Sequence, residues 1–155
     1  MFQLHRIFCA TPWELEEERS RFHELIGAFN ESSAMPRGVL YVPVTLANIR
    51  EKRAIQYAVD QNIRDSRHYI LVLTEDWGPK ERNFSNDYQL ALKSVADAAL
   101  PMESVTVLAK EQAVPNLSAS DLPEPRATFS TLAEFDECVN NLLSAWLFIR
   151  TDCGS

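Results

Sequence analysis

Two patterns alternate along the chain: short, nearly continuous apolar runs, and longer stretches in which apolar residues return every three or four positions. Residues 4–10 form the first run and predict a strand. A helix start follows, with Thr11 as N-cap, Pro12 at the first helical position and Glu14 where a capping box places its carboxylate. This helix extends to about residue 29 and turns Leu15, Phe22, Leu25, Ile26 and Phe29 inward. Residues 30–38 read as a polar turn containing Pro36 and Gly38. Residues 39–44 predict a second strand, and Pro43, which lacks an amide donor, implies that it lies at an edge of the sheet or ends there. A second helix covers about 49–63, with Ala54, Ile55, Ala58, Val59 and Ile63 inward.

Residues 68–74 carry the strongest strand signal, an unbroken run of the kind buried on both faces of a parallel sheet. A polar loop with Trp77, Gly78 and Pro79 leads to a third helix capped by Ser85, whose stripe is Tyr88, Ala91, Leu92, Val95, Ala98 and Ala99. A fourth strand is expected at 104–109 and a long loop at 110–126 with Pro115, Pro123 and Pro125. A short fifth strand at 127–129 and a last helix at 132–148 complete the chain, the helix placing Leu132, Phe135, Val139, Leu142, Leu143 and Trp146 inward. Strands alternating with helices imply right-handed crossovers and a covered, mainly parallel sheet of about five strands, a three-layer α/β/α arrangement of the flavodoxin-like kind. Residues 1–150 are expected to form one domain and 151–155 a loose tail.

Composition narrows the class. With 155 residues, 46% hydrophobic and 24% charged, the chain has enough apolar material for a full core. A net charge of −7 argues against a nucleic-acid partner, and the group Arg50, Lys52 and Arg53 reads as a solvated helix face. No run approaches a membrane span, so no membrane is expected. The three cysteines, Cys9, Cys138 and Cys153, lack CxxC spacing, and the three histidines, His5, His23 and His68, lack metal-ligand spacing. No metal site, disulfide framework or secretory leader is expected, and the cytoplasm is the expected compartment. The chain has only four glycines and contains neither a dinucleotide-binding nor a Walker loop.

Three segments resemble an uncharacterised bacterial family of TIR-like domains. That family follows its first strand with Ser-Ser-Thr and a helix reading Asp-Leu-x-x-Glu-Arg; here Thr11, Leu15, Glu18 and Arg19 match, Glu14 stands for the Asp, and Cys9 and Ala10 replace the serines. Asp65 before the central strand and Trp77-Gly78 after it are similar, and Asp87-Tyr88-Gln89-Leu90-Ala91 resembles the family's Glu-Tyr-x-x-Ala. The resemblance covers roughly the first 95 residues. It implies a TIR-like fold and a signalling or defence module working mainly through protein contacts, with a protein partner or self-association. The related TIR and nucleoside-deoxyribosyltransferase folds carry an essential Glu on the helix after the third strand, a place that Asp87 occupies by resemblance. If the chain is an enzyme, the resemblance implies an NAD(P) glycohydrolase or a deoxyribosyltransferase-like activity, with NAD or a nucleoside as substrate. A nucleotide-binding sensor without chemistry is a further alternative, and no bound cofactor is required by any of the three.

The candidate residues admit both chemical and structural readings. Asp87 could stabilise or attack a ribosyl centre, although it is one methylene shorter than Glu; a first-turn acid is also favoured by the helix dipole. Thr11 could contact a ligand at the carboxyl end of the first strand, but capping alone accounts for it. Trp13, Trp77 and Tyr88 could line a ligand site, the indoles stacking on a base or nicotinamide, and both tryptophans also suit half-buried loop anchors. Cys9 lies near a helix start, yet its apolar strand makes it an inert core thiol. Glu75 and Asp76 follow the third strand, but the first strand ends without the acidic pair of a phosphorelay receiver.

Overall fold

The computed structural model describes residues 1–12, 15–45, 52–74, 84–111 and 123–149, the side chains of 52–55 excepted. Five strands, β1 (Gln3–Ala10), β2 (Val39–Val44), β3 (His68–Leu73), β4 (Ser104–Lys110) and β5 (Ala127–Phe129), form one sheet in the order β2-β1-β3-β4-β5. Every neighbouring pair is parallel. Among the described residues, four α-helices flank it: α1 (Glu16–Phe29), α2 (Lys52–Asp65), α3 (Phe84–Ala96) and α4 (Leu132–Ser144). The fold is a three-layer α/β/α arrangement of the flavodoxin-like kind, as the alternation of strands and helices predicts. Among the described residues, no helix is long and apolar enough to cross a membrane.

Strand position follows from sequence. All six residues of β3 are buried, and β3 is the central strand, with Ile70 opposite Cys9 on one side and Thr106 on the other. β2, which contains Pro43, is an edge strand, where a missing amide donor is tolerated. Alternation along the strands divides the core in two. Ile7, Cys9, Ile70, Val72 and Leu108 pack with Phe22, Ile26, Phe135 and Leu143 on the α1/α4 face. Phe8, Ala10, Tyr69, Leu71 and Leu73 pack with Val59, Ile63, Phe84 and Ala91 on the α2/α3 face.

Four local expectations are corrected. Helix α1 begins at Glu16, with Leu15 in the cap position and no side-chain cap bond, so Thr11 is not its N-cap. The Leu15 amide instead closes a turn on the Pro12 carbonyl at 3.1 Å, which lets the Leu15 side chain reach the core at 1% exposure. Residues 30–38 are not a simple polar turn: α1 continues as a π turn over Asn30–Ala34 and a 3₁₀ turn over Met35–Arg37. It stops at Gly38, whose φ of 77° lies in the left-handed region that glycine adopts without a Cβ clash.

The third correction concerns α3. Its buried face is Phe84, Asp87, Ala91 and Ser94, whereas Leu92 and Val95 are exposed and Ala98 and Ala99 lie beyond the helix. The fourth is Ser85, which lies inside α3 because Phe84, at 1% exposure, already anchors the helix on the core. The expected capping box at Glu14 and the tail at 151–155 fall outside the described residues. A side-chain N-cap does occur on α4, where the Glu134 amide donates to Thr131 Oγ1 at 3.2 Å.

Candidate functional site at the carboxyl edge of the sheet

In an open parallel sheet, chain reversal on either side of one strand leaves a crevice beyond the carboxyl ends of the strands. Here β1 is followed in space by β2 on one side and β3 on the other, so the crevice lies beyond Ala10 and Leu73. Polar side chains collect there in two groups, one on each side of the sheet.

The first group faces α1. Thr11 is 5% exposed, and its Oγ1 lies 3.4 Å from Arg19 Nη1, which also donates to the Pro12 carbonyl at 2.7 Å. Glu18, on the same turn of α1, is buried with its Oε1 3.1 Å from Lys110 Nζ at the end of β4. Thr74, immediately after β3, is also buried. At the β2 end, His23 Nε2 is 2.8 Å from Thr45 Oγ1, and burial holds the imidazole below its ordinary pKa. Cys9, one strand position inward on this face, has its thiol pushed up to about 12 by burial, which makes it an inert core residue rather than a nucleophile.

The second group lies between α2 and α3. Asp87, in the first turn of α3, is 3% exposed, and its Oδ1 accepts from Gln56 Nε2 at 3.3 Å. The same amide nitrogen donates to Asp60 Oδ1 at 2.7 Å. A carboxamide has two N–H groups, so one nitrogen can bridge two carboxylates. Tyr88 is half-buried against the α2/α3 core.

Thr11 and Asp87 therefore both reach the carboxyl edge, but from opposite helical layers: Thr11 is tied to α1 through Arg19, and Asp87 to α2 through Gln56. Trp13 and Trp77 lie outside the described residues, as do Glu75 and Asp76. Among the described residues, no set of three or more His, Cys, Asp or Glu side chains is placed to hold a metal ion.

Sequence reading missed the pairing of Glu18 with Lys110 and the role of Gln56. A signal for Glu18 exists: it lies in step with Leu15, Phe22 and Ile26, a stripe of i, i+3 and i+4 steps that is buried throughout. No local signal selects Lys110 as its partner, because the two are 92 positions apart. No protein-family model matches the chain, and neither does any curated protein or solved structure.

Proposed function

We propose that this chain is a TIR-like signalling or defence module that acts mainly through protein–protein contacts, including self-association. The observation carrying this reading is the outer surface of α3. Leu92 and Val95 are 37% and 36% exposed and stand three residues apart, so they are neighbours on the helix surface. The buried stripe of α3 meanwhile includes Asp87 and Ser94. The inward face of α3 thus carries two polar side chains beside Phe84 and Ala91, while two aliphatic side chains stand on the outer surface, where core packing alone does not call for them. Tyr57 on α2 is 74% exposed and adds a second apolar surface group. Burying such groups against a partner recovers about 25 cal/mol per Å² of apolar area.

A second reading, cleavage or transfer of the ribosyl bond of NAD or a nucleoside, is favoured by the place of Asp87. It stands in the first turn of the helix that follows the central strand, beside the crevice. Its engagement with Gln56 and its burial weigh against a carboxylate presented freely to substrate.

One experiment separates the two. Sedimentation of the wild-type chain and of Leu92→Asp is measured across a wide concentration range, and the same samples are incubated with NAD and with nucleosides. The expected result is concentration-dependent association in the wild type, its loss in Leu92→Asp with an unchanged circular dichroism spectrum, and no release of nicotinamide or base. A wild type that stays monomeric at the highest concentration sinks the first reading. Base release that Asp87→Ala abolishes establishes the second.

A further inference from the structure

The opposite edge of the sheet holds a pocket that the carboxyl-edge site does not use. It has a volume of about 190 Å³ and is lined by Gln3, His5, Arg37, Tyr41, Trp146 and Leu147, among others. These residues come from the amino ends of β1 and β2, from the 3₁₀ turn before β2 and from the segment after α4. Strands of six to eight residues put it roughly 20 Å from the carboxyl edge, at about 3.3 Å per residue.

Its walls are aromatic. Trp146 stacks on His68 with ring centroids 3.8 Å apart and planes 4° from parallel, and Tyr41 lies 6.4 Å from both. His5 meets Tyr41 edge-on at 5.4 Å. His5 Nε2 is 2.8 Å from Arg67 Nη1. A guanidinium only donates, so toward Arg67 this imidazole nitrogen is the acceptor.

The charge in the lining comes from Arg37. Its guanidinium is fixed from two directions: Nη1 donates to the Ser33 carbonyl at 3.1 Å, and Cζ lies 4.6 Å above the Phe148 ring. Among the described residues, no carboxylate pairs with Arg37, although the chain carries a net charge of −7. The remaining guanidinium donors are available to a planar acceptor, a group that this fork geometry suits.

Two departures from regular helix build the pocket. The π turn Asn30–Ala34 supplies the Ser33 carbonyl that holds Arg37. It also supplies Asn30, whose amide grips the Tyr41 backbone through two bonds of 2.9 Å. The π turn Ala145–Ile149 supplies Trp146, Leu147 and Phe148. π turns of this kind recur at functional sites. Both π turns of the described chain meet at one pocket, on different helices far apart in sequence.

We propose that this amino-edge pocket binds a small carboxylate with a ring-sized apolar body. Arg37 takes the carboxylate as a charge-assisted, two-pronged acceptor, and the partly buried Trp146 ring lies against the apolar part. The volume is below the roughly 300–1,000 Å³ of pockets that take drug-sized ligands, which restricts the occupant to about one ring.

The test is an amide-shift NMR titration of the full chain with benzoate, repeated with benzamide and with the Arg37→Gln variant. Saturable shifts centred on residues 3–5, 37–41 and 146–148 are expected. Benzamide and Arg37→Gln should each weaken binding by about ten-fold or more, the loss that follows when a hydrogen bond to a charged group is removed. Arg37 is exposed, so the variant is expected to fold. Non-saturating shifts, shifts centred elsewhere, or equal binding of benzamide and benzoate would overturn the proposal. Unchanged benzoate binding by Arg37→Gln would overturn it too.

Discussion

Ile70→Ala is expected to destabilise the protein by about 2–5 kcal/mol, the range for truncating a buried aliphatic side chain in a core that relaxes only partly. Ile70 is 1% exposed and sits in the middle of β3, opposite Cys9 and Thr106. Its side chain belongs to the α1/α4 core, where the lost contacts involve two helices as well as two neighbouring strands. Urea unfolding should show a lower midpoint with an unchanged slope, because the surface exposed on unfolding stays nearly the same. Leu92→Ala, at a position 37% exposed, should change stability by no more than about 0.5 kcal/mol. Similar losses at the two positions would mean that β3 is not in the interior.

Lys110→Met is expected to cost about 2–3 kcal/mol, and addition of Glu18→Leu should restore most of it. The Glu18 side chain is 7% exposed, and its carboxylate sits 3.1 Å from Lys110 Nζ. Removing the cation leaves a buried carboxylate without compensation, which typically costs 3–5 kcal/mol. The Lys110 side chain is 26% exposed, so water reaches its end of the pair and brings the loss to the lower end of that range or somewhat below it. Replacing both partners by apolar residues removes two desolvation penalties together, and such exchanges are often neutral. A double-mutant cycle by chemical denaturation gives the coupling directly. Additive losses would show that the two groups do not act as a pair.

The fold was legible because burial on both faces leaves an unmistakable trace: the run at β3 contains no charged residue, and it occupies the center of the sheet. Pro43, through the donor it lacks, pointed to an edge position or a strand end, and the edge position is the one found. The site was less legible because its key groups are polar residues on buried stripes. On α3, counting only apolar residues traced Tyr88, Ala91, Leu92 and Val95, whereas the true inward face runs Phe84, Asp87, Ala91 and Ser94. The two stripes share Ala91 and differ by a rotation about the helix axis, which hydrophobicity alone misassigns when a carboxylate is buried with a partner. The burial of Glu18 was hidden for the same reason, since a first-turn acid is already explained by the helix dipole. Thr11 illustrates the opposite error. A Thr-Pro pair before an acidic run is a strong helix-start signal, but Arg19 engages both Thr11 and the Pro12 carbonyl, and the helix begins further on. The Lys110–Glu18, Gln56–Asp87 and Arg37–Phe148 contacts join distant positions, and sequence patterns with periods of two or four residues carry no information about such pairs.

Residue-resolved amide hydrogen exchange bears most directly on the placement of β3 between two parallel neighbours. The amides of residues 69–73 should exchange only through global unfolding, at the free energy found by denaturation, while amides of the edge strands β2 and β5 exchange through smaller openings. Exchange from β3 that is as fast as from β2, under conditions where the chain remains folded, would contradict the arrangement on which both sites depend.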